Sequence, residues 1–146
     1  MKICFVLNDV ATEKDGTSNA LMQMAHQRGH EVYAMGVGDF NFHHDKPITI
    51  NSTQPPRDTK TKSTKKFLEA LQGPKAIKKQ IDCTILDVLF IRNNPTEEEG
   101  RQWAEQAGVA FGRMIQQLDV LVLNDAYALS HAFIDKLYFE ELPQEI

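Results

Sequence analysis

Two hydrophobic patterns alternate along this chain: short continuous apolar runs and longer stripes with helical spacing. Lys2–Leu7, Glu31–Met35, Leu86–Ile91 and the stretch Asp119–Asp125 are runs of the first kind. Apolar on both sides and rich in β-branched residues, they predict strands buried on two faces, as in a parallel sheet. Between the first two lies a polar loop, Asn8–Gly16, after which Thr17 or Ser18 offers a hydroxyl N-cap. A helix is expected from there to about Arg28, with Leu21, Met24 and Ala25 on its core face and Gly29 closing it in a left-handed conformation. Strand, helix and strand in that order make a βαβ unit with a right-handed crossover.

The middle of the chain reads differently. Asn41–Asn51 alternates around Asp45-Lys46 and predicts a hairpin, with Phe42-His43 pairing back on Ile48-Thr49-Ile50. Residues 52–64, rich in Pro, Thr and Lys, have little to bury and predict an exposed, mobile loop. Lys65–Leu71 predicts a short helix closed by Gly73-Pro74, and Ala76–Ile81 another helical turn or two. Downstream, Pro95-Thr96-Glu97-Glu98-Glu99 carries a capping box, and Trp103, Ala107, Ala110 or Phe111, Met114 and Leu118 recur at helical spacing. A last helix is expected over Ser130–Glu140, broken by Leu142-Pro143. The fold class is therefore α/β: three layers, a mainly parallel open sheet flanked by helices, Rossmann-like, with a small hairpin insertion.

Length and charge sharpen this picture. A chain of 146 residues makes one domain with a core. No apolar run approaches the roughly 20 residues that cross a bilayer, so no membrane partner is expected. Asn8 and Asp9 cut the first apolar run too short for a signal peptide, and with two distant cysteines and no CxxC the expected location is cytoplasmic. Between Arg57 and Lys79 eight basic residues face two acids, a local charge of +6 in a chain of net charge −4, so the rest carries −10. That window lacks the interleaved aromatics and glycines of RNA-binding modules, which argues against nucleic acid as a partner.

Candidate chemistry concentrates at strand ends. Gly36-Val37-Gly38 lacks the third glycine, the following helix and the first-turn position that a dinucleotide fingerprint needs. His43 and His44 are adjacent, so a strand points them to opposite faces and no metal site is assigned. The run Leu86–Ile91 instead ends in Arg92-Asn93-Asn94-Pro95. In an open parallel sheet, the crevice beyond the carboxyl ends of the strands is where ligands bind. An arginine and two amides there suit an anion, with Arg92, Asn93 and Asn94 as candidate ligands.

In chain order, four stretches resemble the amino-terminal part of prokaryotic glutathione synthetases and their ATP-grasp relatives. They are Lys14-Asp15 with Thr17-Ser18; Gln27-Arg28-Gly29-His30-Glu31 with Met35 and Gly38-Asp39; Leu86–Pro95; and Val122-Leu123-Asn124 with Leu129 and Asp135-Lys136-Leu137-Tyr138. The resemblance implies a single pre-ATP-grasp domain over residues 1–146, with an ATP-grasp domain expected downstream as its partner. In that family MgATP phosphorylates a carboxylate and an amine then attacks the acyl phosphate. By position Arg92, Asn93, Asn94, Asp15, Thr17 and Ser18 would bind an amino-acid or peptide carboxylate, and Lys136 would lie near the nucleotide. ATP and magnesium would be cofactors of the full-length enzyme, none being bound by this chain alone, which would be inactive by itself; homo-oligomerisation stays open. The family's Asp-Pro-Pro is Asn94-Pro95-Thr96 here, Gly16 looks inserted and Asp135 replaces a usual glutamate, which leaves the substrate open. The alternative is a stand-alone flavodoxin-like binding module. A receiver domain is disfavoured, because the central strand ends in Arg92-Asn93-Asn94 rather than in an aspartate.

Overall fold

The computed structural model describes residues 1–93 and 102–131. In chain order the elements are β1 (Lys2–Leu7), α1 (Thr17–Gln27), β2 (Glu31–Gly36), β3 (Phe40–His43), β4 (Lys46–Gln54), α2 (Thr64–Gln72), β5 (Ile77–Asp82), β6 (Val88–Ile91), α3 (Gln102–Ile115), β7 (Leu121–Leu123) and α4 (Ala126–His131). The capping box at Thr96–Glu99, Asn94 and the chain beyond His131, with Lys136, lie outside the described residues.

One sheet organises the molecule. Strands β2, β1, β6 and β7 run parallel, β1 pairing with β2 from Lys2↔Glu31 to Leu7↔Gly36 and with β6 from Ile3↔Val88 to Val6↔Ile91. Beyond β2 the sheet turns antiparallel. One edge of β4 pairs with β3 and touches β2 at Ala34↔Thr53, while β5 pairs from Thr49↔Asp82 to Gln54↔Ile77. The period-2 alternation of β1 divides the core between two layers. Phe5 and Leu7 pack with Met22 of α1 and Phe67 and Leu71 of α2. Cys4 and Val6 face the opposite layer, with Phe111 and Ile115 of α3, and the Phe111 ring stacks on Phe40 at 5.0 Å. Burial pushes the Cys4 thiol well up, helped by neighbouring Cys83, and burial with Asp82 nearby pushes Cys83 up to about 12. Both cysteines are thus protonated core residues rather than nucleophiles.

Several expectations are corrected. Residues 77–82 form strand β5, not a helical turn, because β4 supplies a partner ladder for a segment whose own pattern is mostly polar. The hairpin is present with a shifted register, Phe40↔Ile50 and Asn41↔Thr49 rather than Phe42 and His43 against 48–50. Strand β4 runs on to Gln54, so Ser52–Gln54 are ladder residues at the start of the segment read as a loop. The final helix starts at Ala126, four residues before Ser130, with Asp125 Oδ1 accepting from the Ala128 amide.

The face of α1 is also corrected. Leu21 and Met24 are 38% and 46% exposed, whereas Ser18, Asn19, Met22 and Gln23 are buried. Met22 is buried by the apolar cluster around Phe67, whereas the two amides are buried with hydrogen bonds. Asn19 Nδ2 donates to the Thr64 carbonyl and Gln23 Nε2 to the Thr61 carbonyl, both at 2.8 Å. Gln27 Nε2 donates to the same Thr61 carbonyl at 2.7 Å. His26 Nε2 lies 3.0 Å from the Thr59 carbonyl; a carbonyl only accepts, so this nitrogen carries the proton. Residues 59–64 thus form a strap latched along α1.

Candidate functional site

The site grows from the carboxyl end of β6. The Arg92 amide donates to the Val6 carbonyl at 2.8 Å, extending the β1–β6 ladder one residue past the strand and holding the arginine at the crevice. Across the crevice the first turn of α1 supplies Ser18. Neither Thr17 nor Ser18 is the N-cap, as the sequence suggested: Gly16 takes that place in extended backbone, with no side-chain cap. The Ser18 hydroxyl instead accepts from Arg92 Nε at 3.2 Å. The Arg92 guanidinium also stands over the Phe90 ring, 5.6 Å from its centroid.

Neither partner neutralises the arginine. Among the described residues Arg92 makes no ion pair and only its Nε is engaged, and the two terminal nitrogens meet no partner there. The uncapped amides of the α1 first turn, beside Thr17 and Ser18, add positive character on the same side.

Asp15 is held rather than free. Its Oδ1 accepts from Asn19 Nδ2 at 2.8 Å and its Oδ2 from the Thr64 hydroxyl at 3.1 Å, tying the loop before α1 to both the helix and the strap. Asn93 packs against α3, where a Cβ on Gly108 would run into its amide, and its Oδ1 has no hydrogen-bond partner among the described residues. The geometry therefore brings Arg92, Ser18 and Thr17 to one place, with Asp15 behind them and Asn93 turned onto the neighbouring helix.

Asn19 and Asn124 escaped the sequence reading as parts of this site. Asn124 Nδ2 donates to the Ile91 carbonyl at 2.6 Å, locking the end of β6 just before Arg92. Its φ of 57° is the left-handed conformation that asparagine tolerates. The polar pair Asn124-Asp125 after an apolar run was the available signal. For Asn19 there was none, since its partners Asp15 and Thr64 are joined only by the fold.

The amino-terminal domain model of prokaryotic glutathione synthetase matches residues 1–129. The chain belongs to that family. A glutathione synthetase from Gloeobacter violaceus is 50% identical over 114 residues, which cover 73% of this chain and 31% of that protein. The chain thus spans about a third of the length of the glutathione synthetase it matches. Within this glutathione synthetase-type domain the matched stretch includes Asp15, Thr17, Ser18 and Arg92–Asn94, whereas Lys136 falls outside it. Among the described residues no three His, Cys, Asp or Glu side chains converge as a metal site requires, and no helix is long and apolar enough to cross a membrane.

Proposed function

We propose that this chain is the substrate-side domain of an ATP-dependent carboxylate–amine ligase of the glutathione synthetase type, inactive on its own. One observation carries the reading: an arginine whose two terminal nitrogens meet no partner among the described residues, beside the start of α1 that lacks a side-chain cap, at the carboxyl edge of a parallel sheet. In this role Arg92 and the α1 first turn bind and orient a peptide or amino-acid carboxylate. Ser18 fixes the guanidinium plane, and the Asn19–Asp15–Thr64 latch holds the loop in place. Phosphoryl transfer needs ATP and magnesium, which belong to the downstream ATP-grasp domain in this reading. No step through them is assigned to residues 1–146.

The test is a pair of titrations. Free dipeptides should bind the domain through Arg92, and the same dipeptides with amidated carboxyl groups should not. Arg92→Met should lower the affinity by about tenfold or more, the loss expected from one charge-assisted contact. MgATP should not bind residues 1–146 at micromolar concentration, where about 8 kcal/mol of binding energy would be required. Micromolar MgATP affinity, or amidated peptides binding as well as free ones, would overturn the proposal.

A further inference from the structure

A second cavity among the described residues lies away from Arg92. It occupies about 800 Å3 between the carboxyl end of α1, the start of β2, the end of β4 and the strap. That volume is within the range of small-molecule sites, roughly 300–1,000 Å3. Its floor includes the buried Val32 and Pro55, and its rim carries His26, His30, Arg57, Lys60 and Lys62. Glu31 is the one acid among the lining residues, and its carboxylate is engaged by the Tyr33 hydroxyl at 2.6 Å and by Lys79 at 3.5 Å. We propose that this basin binds a small multivalent anion, a phosphorylated or polycarboxylated metabolite.

Three physical features support it beyond a count of charges. The cations hang from a preorganised frame, because Gln23, His26 and Gln27 hold the Thr59 and Thr61 carbonyls between which Lys60 sits and beside which Lys62 follows. The negative end of the α1 dipole is muted, since the His26 and Ala25 carbonyls already accept from the amides of Gly29 and His30. The apolar floor lowers the local dielectric under an anion held at the rim. The basin also gives a use to Arg57, Lys60 and Lys62, three of the eight basic residues of the window.

The experiment titrates residues 1–146 with inorganic pyrophosphate and, separately, with citrate by calorimetry at about 0.15 M salt, where exposed charges are screened beyond about 8 Å. Binding of either that persists in Arg92→Met supports the site, and the tighter of the two identifies a phosphoryl or a carboxyl ligand. Combined Arg57→Gln, Lys60→Gln and Lys62→Gln should weaken binding at least about tenfold, whereas Arg92→Met should leave it unchanged. Amide shifts in wild-type NMR spectra, concentrated at Gly29, Val32 and Thr59, give a reading that needs no variant. Failure of both anions to bind would overturn the proposal, as would equal binding by the triple variant. So would loss of binding in Arg92→Met, or shifts concentrated at Ser18 and Arg92, either of which would place the anion at the carboxylate site instead.

Discussion

The two ends of α1 make opposite kinds of site. At its amino end a single arginine is set by topology: the ladder fixes its backbone, a buried serine fixes its guanidinium and Asn124 fixes the strand end before it. At its carboxyl end lies a cavity of about 800 Å3 with more numerous cations, yet Arg57, Lys60 and Lys62 are exposed, the two lysines on the strap. Few, rigid and partly desolvated groups give orientation; several exposed ones give charge without a fixed direction. The first arrangement suits a group that must be presented for reaction, the second a ligand that need only be retained. The strap and α1 join the two ends, because Thr64 bonds Asp15 near one and Thr59 bonds His26 near the other.

That contrast can be broken in graded steps. Phe67→Ala should have the largest effect. The ring is fully buried, packs with Leu7 and Met22, and lies 5.6 Å from the His26 ring, so its removal leaves a cavity between α2, α1 and the sheet. A loss of about 3–5 kcal/mol is expected in urea unfolding. A loss under about 1 kcal/mol would mean that α2 does not clamp the strap, and the two ends could not be treated as joined. Next comes Asn19→Ala, which removes the bonds to the Thr64 carbonyl and to Asp15 Oδ1. It should cost about 1–3 kcal/mol and should also loosen both ends, seen as faster amide exchange at Asp15–Ser18 and in the strap together. Exchange rising at one end only would separate them.

Arg92→Met should scarcely change stability, within about 0.5 kcal/mol, because Arg92 is only half-buried and the partner it loses is the neutral Ser18 hydroxyl. Unfolding of this variant at room temperature would make Arg92 a structural residue and remove the centre of the carboxylate site. The smallest effect belongs to Glu31, beside the basin. The Tyr33 hydroxyl, foremost, with Gln54 and Lys79, holds its carboxyl below the ordinary value against the opposing effect of burial. A carboxyl depressed by folding contributes stability above its unfolded value near 4.3 and loses that contribution as the pH falls through the folded value. Glu31→Gln should therefore lose stability at pH 7 and none by about pH 2, where both forms are uncharged. Since the side chain is 41% exposed, solvent screening keeps the difference below about 1 kcal/mol. An equal loss at both pH values would show that shape rather than charge holds the Tyr33–Glu31–Lys79 cluster.

What the sequence by itself determined is the parallel half. Strands β1, β2 and β6 lie beneath helices or beside other strands, so their apolar runs are nearly continuous and announce burial without any knowledge of partners; β7, read the same way, is the last strand of the described sheet, with Leu121 and Leu123 57% and 39% exposed. Gly29 closing α1 at φ 82° and the polar end at Arg92 were legible for the same reason, each being a local requirement of backbone or solvation. Strand β5 was not legible: Ile81 is its buried residue, and the ladder that makes it a strand comes from β4, about thirty residues earlier in the chain. The buried face of α1 was misread because the burial of Asn19 and Gln23 goes with hydrogen bonds to the strap, not with hydropathy, and no periodicity of apolar residues records a carbonyl 38 residues away. The pairing of Ser18 with Arg92 spans 74 residues, and the basin exists only where the helix end, three strands and the strap converge. Local pattern carries what each segment must bury; which polar atoms meet is decided by tertiary packing, because hydrogen bonds depend on positions that only the folded chain brings within reach.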